Sequence, residues 1–136
     1  MRAVLDPIVI IAALLSPTGP PARTLKDWQR GRFTLIVSPA LLEELERALA
    51  YPKLRKRIPE TSARTVLGLL ARGATVASDI VPAPPRSSDA ADDYLLALAE
   101  AHRAVLVSGD SDLLDLAGEY PVFTPAEFLA WLDRVR

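Results

Sequence analysis

The chain has no cysteine among its 136 residues. That excludes disulfides, thiolate-held zinc and thiol nucleophiles together, and it suits a reducing compartment. Histidine occurs once, as His102, which excludes multi-histidine metal centres and makes any serine triad depend on one imidazole. His102 falls where a helix is expected to end, a place where a cation suits the helix dipole, and it is given no catalytic role. An excess of charge is missing too: 16 Lys and Arg face 17 Asp and Glu, a net of −1. No overall field therefore draws the molecule to nucleic acid or membrane, and an anionic partner needs a local basic patch. Residues 8–15 are apolar, but the run is too short to span a bilayer. Asp6-Pro7 separates it from Arg2 and no clean small-residue cleavage site follows, so it reads as interior protein and not as a targeting segment. The expected location is the cytoplasm. Aromatic residues make up only 6%; Trp28, Trp131 and Tyr94 read as core or interface residues, which leaves nothing to read bases.

What is present points to an α/β domain. A chain of this length is expected to be one domain, residues 1–136, burying roughly two-thirds of its unfolded surface. The most informative stretch is 104–112. Val105, Leu106 and Val107 form a short, β-branched apolar run of the kind buried on both faces of a parallel sheet. Gly109 punctuates it, and residues 113–117 read as one short helix stopped by Gly118. Similar strands are expected at 3–5, 33–37, 75–77 and 121–123. Helices are expected at 8–15 behind a first-turn Pro7, at 21–30 and at 39–50 behind a Ser38 cap. Further helices are expected at 60–72, from 89–93 to 102, and from a Thr124/Glu127 capping box to 135. The three prolines of 81–86 mark an extended connection. Strand and helix alternate throughout, which argues for a parallel sheet covered by helices.

On that scheme Asp6 and Asp110 leave the same sheet edge, and the helix start at Asp93 lies there too. Ligands bind at such edges in open α/β sheets. Crowded carboxylates raise one another's pKa, and a divalent cation relieves the repulsion. Oxygen donors without His or Cys favour Mg²⁺ or Mn²⁺, ions that activate water and stabilise an in-line phosphoryl displacement. Each acid also has a plain use. Asp6, Asp89, Asp92 and Asp110 suit helix caps, Asp112 suits a first turn, and Glu44 suits a solvated helix face; only their joint placement points to metal-assisted phosphodiester hydrolysis. Lys53, Arg55, Lys56 and Arg57 form a dense basic run suited to an RNA backbone. Arg23, Lys26, Arg30 and Arg32 are candidates to extend it, and Arg86 and Arg103 are candidate counter-charges for the acids.

Several short motifs then fall in a telling order: Val4-Leu5-Asp6, Val37-Ser38-Pro39-Ala40-Leu41-Leu42-Glu43-Glu44-Leu45, Pro52-Lys53-Leu54-Arg55, Asp92-Asp93-Tyr94-Leu95-Leu96-Ala97-Leu98-Ala99 and Leu106-Val107-Ser108-Gly109-Asp110-Ser111-Asp112-Leu113-Leu114. Thr124-Pro125-Ala126-Glu127-Phe128 closes the series. With these the chain resembles PIN domains, and among them the small prokaryotic PIN toxins of toxin–antitoxin pairs, over nearly its whole length. The resemblance implies an α/β/α sandwich around a parallel sheet of four to five strands. It also implies a Mg²⁺- or Mn²⁺-dependent endoribonuclease with an RNA substrate, a small antitoxin partner, a homodimeric state and no membrane association. It carries the catalytic acids onto Asp6, Glu44, Asp93 and Asp110, with metal held by Asp6, Asp93 and Asp110 and Asp112 as a further ligand. Glu44 would bind a second ion or orient water, Ser108 would support the site, and Asp89 and Asp92 would stand behind the ligands. One position departs: the family follows its first aspartate with a small polar residue and then asparagine, where this chain has Pro7 and Ile8. Loss of such a hydrogen-bonding partner costs about ten- to a hundredfold in metal affinity or activity. The alternative, from another class, is a PIN fold without turnover that binds RNA or protein. A phosphoacceptor receiver-like domain is disfavoured, because it needs an acidic pair where Pro7-Ile8 stand.

Overall fold

The computed structural model describes residues 1–135. The chain runs β1 (Arg2–Leu5), α1 (Pro7–Leu15), α2 (Pro20–Gln29), β2 (Thr34–Val37) and α3 (Pro39–Leu49). It continues with α4 (Pro52–Arg55), α5 (Glu60–Gly73) and β3 (Thr75–Val76). A 3-10 turn at Ala90–Asp92 leads into α6 (Asp93–Ala101), followed by β4 (Val105–Val107), α7 (Ser111–Leu114), β5 (Val122–Phe123) and α8 (Pro125–Arg134). Five of these helices begin on prolines, at 7, 20, 39, 52 and 125, residues whose fixed φ and missing N–H suit a first turn. The Thr124/Glu127 capping box forms as expected, each side chain bonding the other's backbone N–H.

All five strands are parallel, in the order β3-β2-β1-β4-β5. Ala3-Val4-Leu5, Leu35-Ile36-Val37 and Val105-Leu106-Val107 are buried without alternation, because helices cover both faces of the three inner strands. The outermost strand β3 is shorter than expected and its two residues are exposed. Helix α1 packs on α2 and α3, α2 on α8, and α6 on β4 and β1. Leu41, Leu45 and Leu49 recur along one side of α3 and are buried, as the helical period requires. Phe128 of α8 is fully buried and meets Phe33 edge-on, ring centroids 5.0 Å apart. The result is an α/β/α sandwich. Among the described residues no single helix is long and apolar enough to cross a membrane.

The strand order fixes where a site can form. From β1 the chain proceeds outward through β2 and β3, then returns to the other flank of β1 to lay down β4 and β5. The reversal falls between β1 and β4, where Leu5 stands beside Val107. The connections leaving these strands in opposite directions open a crevice at their carboxyl ends. Asp6 and Ser108 are the next residues on each side.

Candidate functional site

The Asp6 N–H donates to the Val107 carbonyl at 2.9 Å, which extends the ladder by one step and fixes the aspartate at the crevice. Its side chain is buried. Oδ1 accepts the Ile8 N–H at 3.0 Å, and Oδ2 accepts the Ser108 hydroxyl at 2.8 Å. Ser108 is fully buried, and its oxygen in turn accepts the Asp110 N–H at 3.0 Å. One hydroxyl thus ties the two acids together from beneath. Asp110 opens α7 by accepting the Asp112 N–H at 3.0 Å. Burial raises the Asp6 pKa; the Ile8 and Ser108 hydrogen bonds oppose this, and the charge of Asp110 adds to it.

The third acid at this point is Asp92. Burial pushes its carboxyl up to about 7, helped by a hydrogen bond to the Asp110 carboxyl and by the charges of Asp110, Asp6 and Asp89. Its Oδ2 is buried and has no hydrogen-bond partner among the described residues. Asp93, expected to be the ligand, is engaged by the backbone before it. Its buried Oδ1 accepts the N–H groups of Arg86 and Ser87 at 3.1 and 2.7 Å, anchoring the connection that precedes the helix. Asp92 ends the 3-10 turn and Asp93 begins α6, and it is on Asp92 that the charges of Asp6 and Asp110 act. The structure brings Asp6, Asp92 and Asp110 together and leaves Asp93 outside.

Glu44 borders this group from α3. Burial raises its pKa, the Tyr94 hydroxyl and Arg47 lower it, and the Asp6 charge raises it. The Tyr94 hydroxyl donates to Glu44 Oε1 at 2.9 Å. Burial and then the charge of Glu44 drive the tyrosine pKa upward, with Asp6 and Asp79 adding to it. Tyr94 thus does more than the packing its sequence position suggests, and no sequence motif marks Asp79. The Asp79 Oδ2 accepts the Ala40 N–H at 2.9 Å, while its Oδ1 is buried with no hydrogen-bond partner among the described residues. Asp79 lies on the far side of β3 from the motifs, so only tertiary contact reveals it. Asp89 is exposed and caps the 3-10 turn through Ala91. Asp112 is half-buried beside Asp110.

The basic residues sort differently. Lys53, Lys56 and Arg57 are exposed, whereas Arg55 pairs with Glu60 at 3.4 Å. Arg32 engages Asp27 and Asp133 at 2.7 and 2.8 Å, so it cannot extend the patch. Arg86 pairs with Glu100 and lies 5.4 Å from the Tyr120 ring centroid. Arg103 lines a hollow of about 220 Å³ together with Leu96, Leu106, Tyr120 and Val122. That hollow sits at the amino-terminal ends of β4 and β5, across the sheet from the acids, so neither arginine is their counter-charge.

Oxygen-only donors, three carboxylates in mutual repulsion and a buried, unpaired Asp92 oxygen fit a hard divalent cation. As the side chains lie, no group of three among the described residues already stands at ligand spacing.

A family model described as PIN domain matches residues 2–112. The chain belongs to the PIN domain family. An uncharacterized protein of Methanocaldococcus jannaschii, MJ1680, is 28% identical over 98% of this chain and 93% of its own. Among solved structures, PAE2754 from Pyrobaculum aerophilum superposes with a TM-score of 0.66 at 19% identity, covering 98% of this chain and 90% of that one. VapBC2 from Rickettsia felis gives 0.60 at 12%, covering 91% and 97%. FitAcB from Neisseria gonorrhoeae gives 0.55 at 16%, covering 91% and 98%. In this PIN domain Pro7 and Ile8 replace the polar pair expected after the first aspartate, yet the Ile8 N–H still serves Asp6. Ser108→Ala removes a buried donor from Asp6 and an acceptor from Asp110. It is expected to cost about 1–3 kcal/mol, measurable by urea unfolding of the metal-free protein.

Proposed function

We propose that this PIN domain is a divalent-cation-dependent nuclease that hydrolyses RNA, held in check in the cytoplasm by a small antitoxin. The observation that carries the reading is the meeting of Asp6, Asp92 and Asp110 at the strand-order reversal, with Glu44 alongside. These three aspartates would hold Mg²⁺ or Mn²⁺, with Asp112 near enough in sequence to add a ligand. Bound there, the ion supplies Lewis-acid stabilisation of the phosphoryl oxygens and a more acidic water. Ser108 keeps Asp6 and Asp110 in register. Glu44 orients the attacking water and accepts its proton, a role suited to a carboxylate whose pKa burial has raised. Asp93 acts at one remove, by holding the connection before α6. The partner proposal draws support from VapBC2, solved bound to a DNA fragment from their promoter, and from FitAB, solved bound to the IR36 DNA fragment.

Purified protein is expected to cleave single-stranded RNA with Mn²⁺ and to stop on addition of EDTA; cleavage that continues in EDTA removes the mechanism. A non-catalytic binding module is favoured by the open spacing of the acids and is the outcome if RNA binds but is never cut. The homodimer is read in the same preparation by sedimentation.

The RNA contact proposed for Lys53, Arg55, Lys56 and Arg57 falls chiefly on the three that have no ion-pair partner among the described residues. Each phosphate neutralised on a single strand contributes about −0.7 to the slope of log K against log salt. Replacing Lys53, Lys56 and Arg57 by alanine together is therefore expected to flatten that slope by roughly 2. An unchanged slope in a fluorescence-anisotropy titration means that the backbone runs elsewhere.

A further inference from the structure

We propose that Tyr94 is a positioning residue that acts through Glu44, holding the Glu44 carboxylate at the border of the aspartate cluster; this rests on the reading of that cluster as the nuclease site. A glutamate on a half-exposed helix face is free to sample several rotamers, and fixing it costs side-chain entropy. Tyrosine pins it with only two torsions of its own. Tyr94 packs against the hydrophobic core, so its ring is held while its hydroxyl reaches Glu44 Oε1 at 2.9 Å. A neutral hydroxyl on a carboxylate makes a charge-assisted bond, stronger than one between neutral groups.

The arrangement uses two elements whose ends are both fixed. Tyr94 lies two residues beyond Asp92, so the first turn of α6 delivers an acid to the cluster and a hydroxyl to its neighbour. On the other side, the start of α3 is held twice. Ser38 accepts the Leu41 N–H at 3.3 Å, and Asp79, arriving from beyond β3, accepts the Ala40 N–H at 2.9 Å. Glu44 follows Ala40 by four residues, one helical turn, and so shares its face. With α3 fixed by Asp79 and the carboxylate fixed by Tyr94, one Glu44 oxygen is tethered. The other accepts no hydrogen bond from the described residues and is left for water or ion.

The alternative is that the Tyr94–Glu44 bond merely fastens α6 to α3, and a double-mutant cycle separates the two. Tyr94→Phe, Glu44→Gln and the double variant are compared by thermal melting, Mn²⁺ titration followed by electron paramagnetic resonance, and steady-state cleavage of a short single-stranded RNA. Tyr94→Phe is expected to lower kcat by about tenfold while KM moves by less than about twofold, and to add nothing in the Glu44→Gln background. A Tyr94→Phe loss that persists undiminished without Glu44, or a variant that melts earlier but turns over normally, overturns the proposal and leaves the nuclease reading standing. A wild-type protein that neither binds Mn²⁺ nor cuts RNA overturns both.

Discussion

Asp92→Asn is expected to weaken Mn²⁺ binding by at least about a hundredfold, beyond what outer-sphere partners contribute, whereas Asp93→Asn is expected to bind within a few-fold of wild type. The two side chains are neighbours in sequence and carry the same charge, so composition and net field change equally in both variants. What differs is where each points. Asp92 lies against Asp110 and has a buried oxygen with no protein partner. Asp93 already has its uses, accepting two backbone N–H groups from residues 86 and 87. The cost of Asp93→Asn should appear instead as stability, about 1–2 kcal/mol for exchanging an ionised acceptor for a neutral one beneath two amides. Mn²⁺ titration at pH 7.5 beside thermal melts reads both quantities. The opposite pattern, binding lost with Asp93→Asn and kept with Asp92→Asn, reinstates the assignment suggested by the family motif.

The second large effect concerns the metal-free fold. Asp6 and Glu44 have raised pKa values, and Asp92 reaches about 7 from an ordinary value of 3.8. A carboxyl raised in this way binds its proton more tightly folded than unfolded. Its contribution is therefore complete at low pH and is lost as pH rises through the window from about 4 to about 7. The metal-free protein should accordingly lose stability across that window, and Asp92→Asn should flatten the decline. Divalent metal acts in the reverse sense, since it binds only the ionised cluster. Mn²⁺ at a hundred times its dissociation constant adds about 2.7 kcal/mol, which for a domain of this size raises Tm by roughly 10 °C at pH 8. At pH 5, where Asp92 holds its proton, the same addition should move Tm less. Differential scanning calorimetry at the two pH values tests this, and equal shifts at both would show that the ion binds somewhere other than these acids.

The fold was legible in the sequence because its signals are local. Val105-Leu106-Val107 is apolar without a break, as a strand covered on both faces must be, and most helix starts carry a proline or a capping side chain. Asp6, Ser108 and Asp110 could be read for the same reason, since they follow β1 and β4 within three residues and parallel strands end at one edge of the sheet. The choice between Asp92 and Asp93 could not. It is made by the amides of Arg86 and Ser87, in a connection whose path no periodicity describes. Asp79 and Tyr94 were hidden likewise: their partners, Ala40 and Glu44, lie 39 and 50 residues away. Arg32 looked available for RNA only because its acceptors, Asp27 and the distant Asp133, could not be seen to converge on it.

The hydroxyl bond from Ser108 to Asp6 spans 102 residues. During synthesis Asp6 therefore precedes by 102 residues the serine that completes its surroundings. Prematurely terminated or nicked products ending before β4 keep Asp6, Glu44 and Asp92, yet lack the serine and Asp110 that organise them. A copy cut short before β4 is therefore expected not to hold Mn²⁺ at this cluster.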